Sequence, residues 1–273
     1  MINAALVFLL NKTGLHYTSV ISFNTPNIEH SVFFNALVVS YLCIVVTCYV
    51  IYLTCCNYFK DKLFGFWVGL LYLLGGGTYA FCMTPIMDAS SGLFMALAFK
   101  TFIEKSKWLY LILFLSIFQR EYISIVIGTI AFVGYLFEKK DLKQTIFVIV
   151  AALSCFVAYI VLRKTFFYTP ETVEREQLQV SQFASRLFDK NINFAEYFRQ
   201  VLFLQNILFI YVLVLLYKYT KKQTINKKQL VTIGILLVQI FIISFIAIVV
   251  NNASRVVYML TPIILFYMAI EIY

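Results

Sequence analysis

Charge is scarce in this chain. Asp, Glu, Lys and Arg make up 13% of its 273 residues, 62% are apolar, and the mean hydropathy is +0.87. Soluble domains carry about 25% charged and about 45–50% apolar residues, so a soluble core of this length could not hide that much apolar surface. Histidine occurs twice, and His16, Glu29 and His30 lack the spacing of a metal motif. Six cysteines lie in or beside apolar runs without a CxxC pair and read as small hydrophobes. There is no Gly-rich phosphate loop, no HExxH and no GxSxG with a triad. Of four prolines, Pro85 and Pro262 stand in unlike contexts, unlike the matched broken spans of a repeat-built transporter. The apolar runs are continuous rather than alternating, which excludes a membrane β-barrel.

Apolar runs are what the chain does have, at about 31–57, 63–83, 86–103, 108–137, 145–163, 201–218, 230–250 and 256–273. They predict an all-α polytopic membrane protein, with 1–273 forming one transmembrane domain. The opening MINAALVFLLNK holds seven apolar residues in a row. That is about 10 Å of helix, too short to span, and it lacks the basic front and cleavage site of a signal peptide. The net charge of +9 comes mostly from short loops between runs, where basic residues orient a chain and meet anionic membrane lipids. No nucleic-acid partner is expected.

The run 108–137 carries its only internal charges, Arg120 and Glu121, inside FQREYIS. Crossing once, it would divide the loop lysines five against eight, with no clear bias. If it turns at Gln119–Glu121 as a hairpin of two short helices, thirteen lysines share one side: 60, 62, 100, 105, 107, 139, 140, 143, 218, 221, 222, 227 and 228. The positive-inside bias selects the hairpin. About nine membrane-embedded helices follow, with 164–200 extracytoplasmic, the C-terminus cytoplasmic and the hairpin tip in a protein-lined outer cavity.

The same topology gathers Asp88, Arg120, Glu121, Asn251, Asn252 and Arg255 on the outer face. Intramembrane ionisable groups are functional candidates by default. In the loop 164–200, Thr169 and Pro170 open a helix whose apolar stripe is Val180, Phe183, Ala184, Leu187 and Phe188. This predicts an amphipathic helix at about 170–188 on the outer surface, with Arg175 and Arg186 off the stripe as substrate contacts. GFWVG, with Gly65 and Gly69, reads as close helix packing.

The stretch TPIMDASSGLFMALAFKTFIEKSKWLYLILFLSIFQREYISIVIGTIAFVGYLF resembles the core of the GT-C superfamily, the integral-membrane glycosyltransferases that use polyprenyl-phosphate-linked sugars. It has an Asp after a Pro at the outer start of a span, a basic loop, a short apolar helix, Arg-Glu at the outer turn and a second apolar helix. NNASRVVYMLTPIILF resembles the late segment of that family, and the likeness covers about 80–163 and 250–273. It implies a transferase of the cell envelope, in a bacterial plasma membrane. A sugar would pass from a lipid-linked donor to a glycan, lipid or protein acceptor. Arg120 and Arg255 would hold the lipid phosphate. Asp88 would meet the acceptor or a divalent cation, for which no ligand motif stands out. Glu29 or Glu121 would act as base, unless Glu121 only orients Arg120, and Asn251 and Asn252 would contact substrate. The front departs from the family: a loop of about twenty residues, with Glu29 its only acid, replaces a large acidic outer loop. Either Glu29 substitutes, or the chain is a shortened, inactive member. A transporter, flippase-like component, scaffold subunit or polysaccharide polymerase is the alternative reading.

Overall fold

A backbone surrounded by apolar side chains must satisfy its own N–H and C=O groups, and the helix does so locally. The computed structural model describes residues 8–9, 30–75, 78, 88–119, 122–138, 141–166, 217–218 and 253–273, with no strand among them. The helices are α1 (His30–Phe59), α2 (Lys62–Leu74), α3 (Asp88–Ile103), α4 (Trp108–Ser116), α5 (Tyr122–Glu138), α6 (Leu142–Phe166) and α7 (Ala253–Ile272). Among the described residues, two stretches are long and apolar enough to cross a membrane: Asn35–Phe59, of 25 residues and mean hydropathy 2.4, and Leu142–Leu162, of 21 residues and mean hydropathy 2.7. Only 39% and 17% of them, respectively, is buried inside the protein. Outward-facing Tyr41, Leu42, Phe147, Val150 and Val157 suit lipid and not water, and associate the chain with a membrane.

The expected nine membrane helices become seven helices among the described residues, two of them of spanning length. Within the run 63–83, α2 ends at Gly75, whose backbone is extended, at the head of a Gly-Gly-Gly stretch where helix propensity is weakest, and Thr78 is helical again. Thirteen residues reach only about 20 Å, short of a roughly 30 Å hydrocarbon core. The run 108–137 is divided into α4 and α5, with a turn at 117–119 after α4. The 170–188 helix, the run 230–250 and all but 217–218 of the run 201–218 lie outside the described residues.

Pairwise contacts fix the directions. α2 runs back along α1, with Cys56 against Gly65 and the Cys48 thiol donating to the Gly69 carbonyl at 3.2 Å. α3 and α7 run parallel, Gly92 beside Tyr258 and, lower down, Phe99 against Phe266 with ring centres 5.1 Å apart. α4 runs opposite to α3, since Ser90 at the start of α3 meets Gln119 just past the end of α4. The bundle therefore has two distinct ends. At one, the 59–62 and 104–107 turns gather with Tyr273, which packs on Phe59 and Phe64 at 4.8 and 5.0 Å. At the other lie the starts of α3 and α7 and the 117–119 turn.

The turn end is tied by Glu104. It accepts from Asn57 of α1 at 2.7 Å and from Lys100 of α3 at 2.6 Å. Partial burial raises its carboxyl pKa, but the two hydrogen bonds and the Lys100 charge outweigh that and hold it below the ordinary value of 4.5. Asp61 caps α2, its carboxylate accepting from the Phe64 N–H at 3.0 Å. Buried threonines return their hydroxyls to the preceding turn, as Thr47 does to the Cys43 carbonyl at 2.6 Å.

Two outcomes follow. A methyl on Gly65 would sit 2.6 Å from the Cys56 sulfur and 3.1 Å from the Tyr52 carbonyl. Gly65→Ala is therefore expected to lower thermal stability in detergent by about 1–3 kcal/mol, despite the better helix propensity of Ala, and Cys56→Ala to recover part of the loss. Because Glu104 is more acidic folded than unfolded, its contribution is complete above the unfolded pKa and fades as pH falls through the folded one. Unfolding scans from neutral pH to about pH 3.5 should show a steeper acid loss in wild type than in Glu104→Gln.

Candidate functional site

α3 begins at Asp88, directly after a segment containing Pro85, and its first turn carries Ser90 and Ser91, both buried. Serine and aspartate suit a helix start because their side chains can satisfy N–H groups that the helix leaves open. One turn further, Gly92 packs beside Tyr258 of α7: a Cβ there would lie 3.5 Å from the Tyr258 ring and 3.7 Å from the Tyr72 hydroxyl, ordinary contact distances. Tyr72 and Tyr258 share a 2.6 Å hydroxyl–hydroxyl hydrogen bond, and both are fully buried. Their rings lie 30° from parallel with centres 6.3 Å apart. This contact locks α2, α3 and α7 together.

The register has a direct consequence for the sequence candidates. Asp88 stands four residues before Gly92, and Arg255 three residues before Tyr258. On parallel helices those offsets are roughly 6 Å and roughly 4.5 Å of rise, so the backbones of Asp88 and Arg255 share one level. The turn after α4 is held at that level by Ser90, whose hydroxyl donates to the Gln119 side-chain oxygen at 3.0 Å. Gln119 is followed in the chain by Arg120 and Glu121, which lie outside the described residues, as do Glu29, Asn251, Asn252, Arg175 and Arg186. α1 starts elsewhere. Asn57 is level with Glu104, so the 30-residue α1 extends on the order of 16 Å past the start of α3 before reaching His30.

The gathered end holds buried polar side chains, among them Ser90, Ser91 and Gln119. Gln119 is 8% exposed, and its amide nitrogen has no hydrogen-bond partner among the described residues. Beyond the turn, a groove of about 260 Å³ opens between α5 and α6, lined by Ser124, Gly128, Phe132, Ala152 and Phe156. From Ser124 to Phe132 it follows α5 for roughly 12 Å, starting two residues into that helix. Among the described residues no cluster of His, Cys, Asp or Glu could hold a metal ion. A divalent cation would need ligands from outside them.

Ser90, Gln119, Gly92 and the Tyr72–Tyr258 pair were not marked by the sequence, although Gln119 sits in the FQREY turn and Ser90 follows Asp88 by two residues. The tyrosine pair yields a test. Tyr72→Phe or Tyr258→Phe alone removes the bond while leaving the other hydroxyl buried, and should cost about 1–3 kcal/mol; the double Phe variant should cost less than the sum. Thermal unfolding of the three variants measures the coupling. Compared with protein-family models, curated proteins and solved structures, the chain matches none of them.

Proposed function

We propose that the chain is a GT-C-like glycosyltransferase that moves a sugar from a polyprenyl-phosphate carrier to a glycan, lipid or protein acceptor on the extracytoplasmic face of a bacterial plasma membrane. The observation that carries this reading is the shared level of Asp88, Arg255 and the Gln119 turn that leads into Arg120–Glu121. On this reading the proposed site lies at the end of the bundle opposite Lys60, Lys62, Lys105 and Lys107. In the proposed topology the lysine end is cytoplasmic, about nine helices are membrane-embedded, and 164–200 is extracytoplasmic.

Transfer needs an acceptor hydroxyl to attack the anomeric carbon while the bond from that carbon to the carrier phosphate breaks. The bonding pair leaves with the phosphate, and the hydroxyl proton goes to a carboxylate. Arg120 and Arg255 are assigned to the phosphate, where preorganised cations stabilise the charge that develops on departure. Asp88 is assigned to the acceptor, and Glu121 to holding Arg120. Glu29 precedes α1, whose start is well removed from the α3 start, which favours Asp88 or Glu121 as base. Asn251, Asn252, Arg175 and Arg186 are left as contacts to sugar and acceptor. The groove beginning at Ser124 suits the first isoprene units of the carrier.

The experiment is binding of a polyprenyl phosphate to purified protein in detergent. Arg120→Ala and Arg255→Ala should each weaken it about 10–100-fold, as expected for losing a charged hydrogen-bond donor, with Lys restoring part. Asp88→Asn, which caps a helix as well as Asp does, should keep the fold and lose transfer. Unchanged binding in both Ala variants would remove the main support for the reading. A wild-type protein that binds the carrier but transfers nothing would be an inactive member.

A further inference from the structure

The end of the bundle opposite the proposed site carries charge that the fold itself does not use. Residues 60–62 and 100–107 hold five lysines against Asp61 and Glu104, a net charge of +3. Both acids are engaged: Asp61 caps α2 through the Phe64 N–H, and Glu104 accepts from Lys100 and Asn57. Lys100 makes the one ion pair found among the described residues. Lys60, Lys62, Lys105 and Lys107 are exposed, with no acidic partner among those residues. The 2.7 Å bond between Asn57 and Glu104 draws the two turns together, with Lys60 three residues past Asn57 and Lys105 next to Glu104. Lys60 and Lys105 also hold left-handed backbone, with φ of 61° and 53°, where glycine fits more easily.

Apolar surface adjoins this charge. α4 leaves the 104–107 turn with Trp108 67% exposed, and Leu111 and Phe114 are exposed in the turns that follow. Cation, interfacial aromatic and then aliphatic side chain is the order that meets a phospholipid's phosphate, glycerol esters and acyl chains. A soluble acidic partner would match the lysines but leave the apolar surface beside them uncovered. We infer that the 59–62 and 104–107 turns form a binding site for one anionic phospholipid. Lys60 and Lys105 hold its phosphate, Trp108 meets its glycerol region, and an acyl chain lies along α4. Lys62 and Lys107 strengthen the attracting field. The inference is independent of the proposed function, which concerns the other end of the bundle.

The test uses the full chain purified in maltoside detergent. Bound lipid is counted by native mass spectrometry during titration with phosphatidylglycerol, or with phosphatidylcholine of the same acyl chains. Wild type should prefer phosphatidylglycerol. Lys60→Gly and Lys105→Gly should each weaken that binding about 5-fold, the effect of one lysine at an anionic surface, and leave phosphatidylcholine unchanged. Glycine suits both backbone positions, so neither thermal midpoint should fall; Lys60→Gln and Lys105→Gln serve if the glycine variants do not fold. Lys143→Gln removes an exposed charge from the start of α6, outside the two turns, and should leave the preference intact. Equal losses in Lys105→Gly and Lys143→Gln would reduce the effect to overall charge and overturn the site. Wild type binding both lipids alike would overturn it as well, and leave the lysines to an acidic protein. Displacement of phosphatidylglycerol by similar concentrations of glycerol 3-phosphate would make the ligand a soluble phosphate, which also overturns the inference.

Discussion

The pairing of Tyr72 with Tyr258 is the contact on which the gathered end depends. Two fully buried phenolic hydroxyls need hydrogen-bond partners, and at 2.6 Å they serve each other. Because one sits on α2 and the other on α7, the bond sets how far each helix can slide. Gly92 of α3 packs beside them. Sliding α3 by one residue would turn its first turn by about 100° and carry Ser90 away from Gln119. The level shared by Asp88 and Arg255 is therefore a by-product of packing one turn below.

The opposite end is organised by a different force. Glu104 joins α1 to α3 through Asn57 and Lys100, and Asp61 caps α2 across the neighbouring turn. These contacts are partly exposed and individually weak. Between the two ends the interfaces are nearly all apolar, with small residues such as Gly65 and Gly69 allowing α2 to lie close to α1. Polar specificity at the ends and close packing between them divide the work of fixing the bundle.

Elements announced by local chemistry could be read from the sequence. The break between α4 and α5 was legible because Gln119, Arg120 and Glu121 interrupt an apolar run, and the start of α3 because Asp88 follows a segment of sequence containing Pro85. The packing role of Gly65 and Gly69 was legible because few other uses suit small residues at that spacing. Contacts between distant segments were not: Tyr72 and Tyr258 are 186 positions apart, Ser90 and Gln119 29 apart, and neither pair has a pattern to give it away. The early stop of α2 was missed because hydropathy continues past Gly75 while helix propensity does not. Arg120 and Glu121 were noticed for their charge, whereas the neutral Gln119 beside them passed as a turn residue.

Lys60 and Lys105 end α1 and α3 in left-handed backbone conformation, with φ of 61° and 53°. At Lys105 the turn is closed by hydrogen bonds from Ser106 to the Thr101 carbonyl at 2.9 Å and from Lys105 to the Phe102 carbonyl at 3.2 Å, a pattern in which glycine is the usual occupant. A side chain there costs about 1–2 kcal/mol relative to a relaxed backbone. In the proposed orientation both lysines lie on the cytoplasmic side, where each positive charge biases which way a segment enters the bilayer. That choice is made during insertion, before the bundle has packed. In that orientation the two locally strained residues would serve insertion rather than packing, and mutational stability alone would misjudge what they are for.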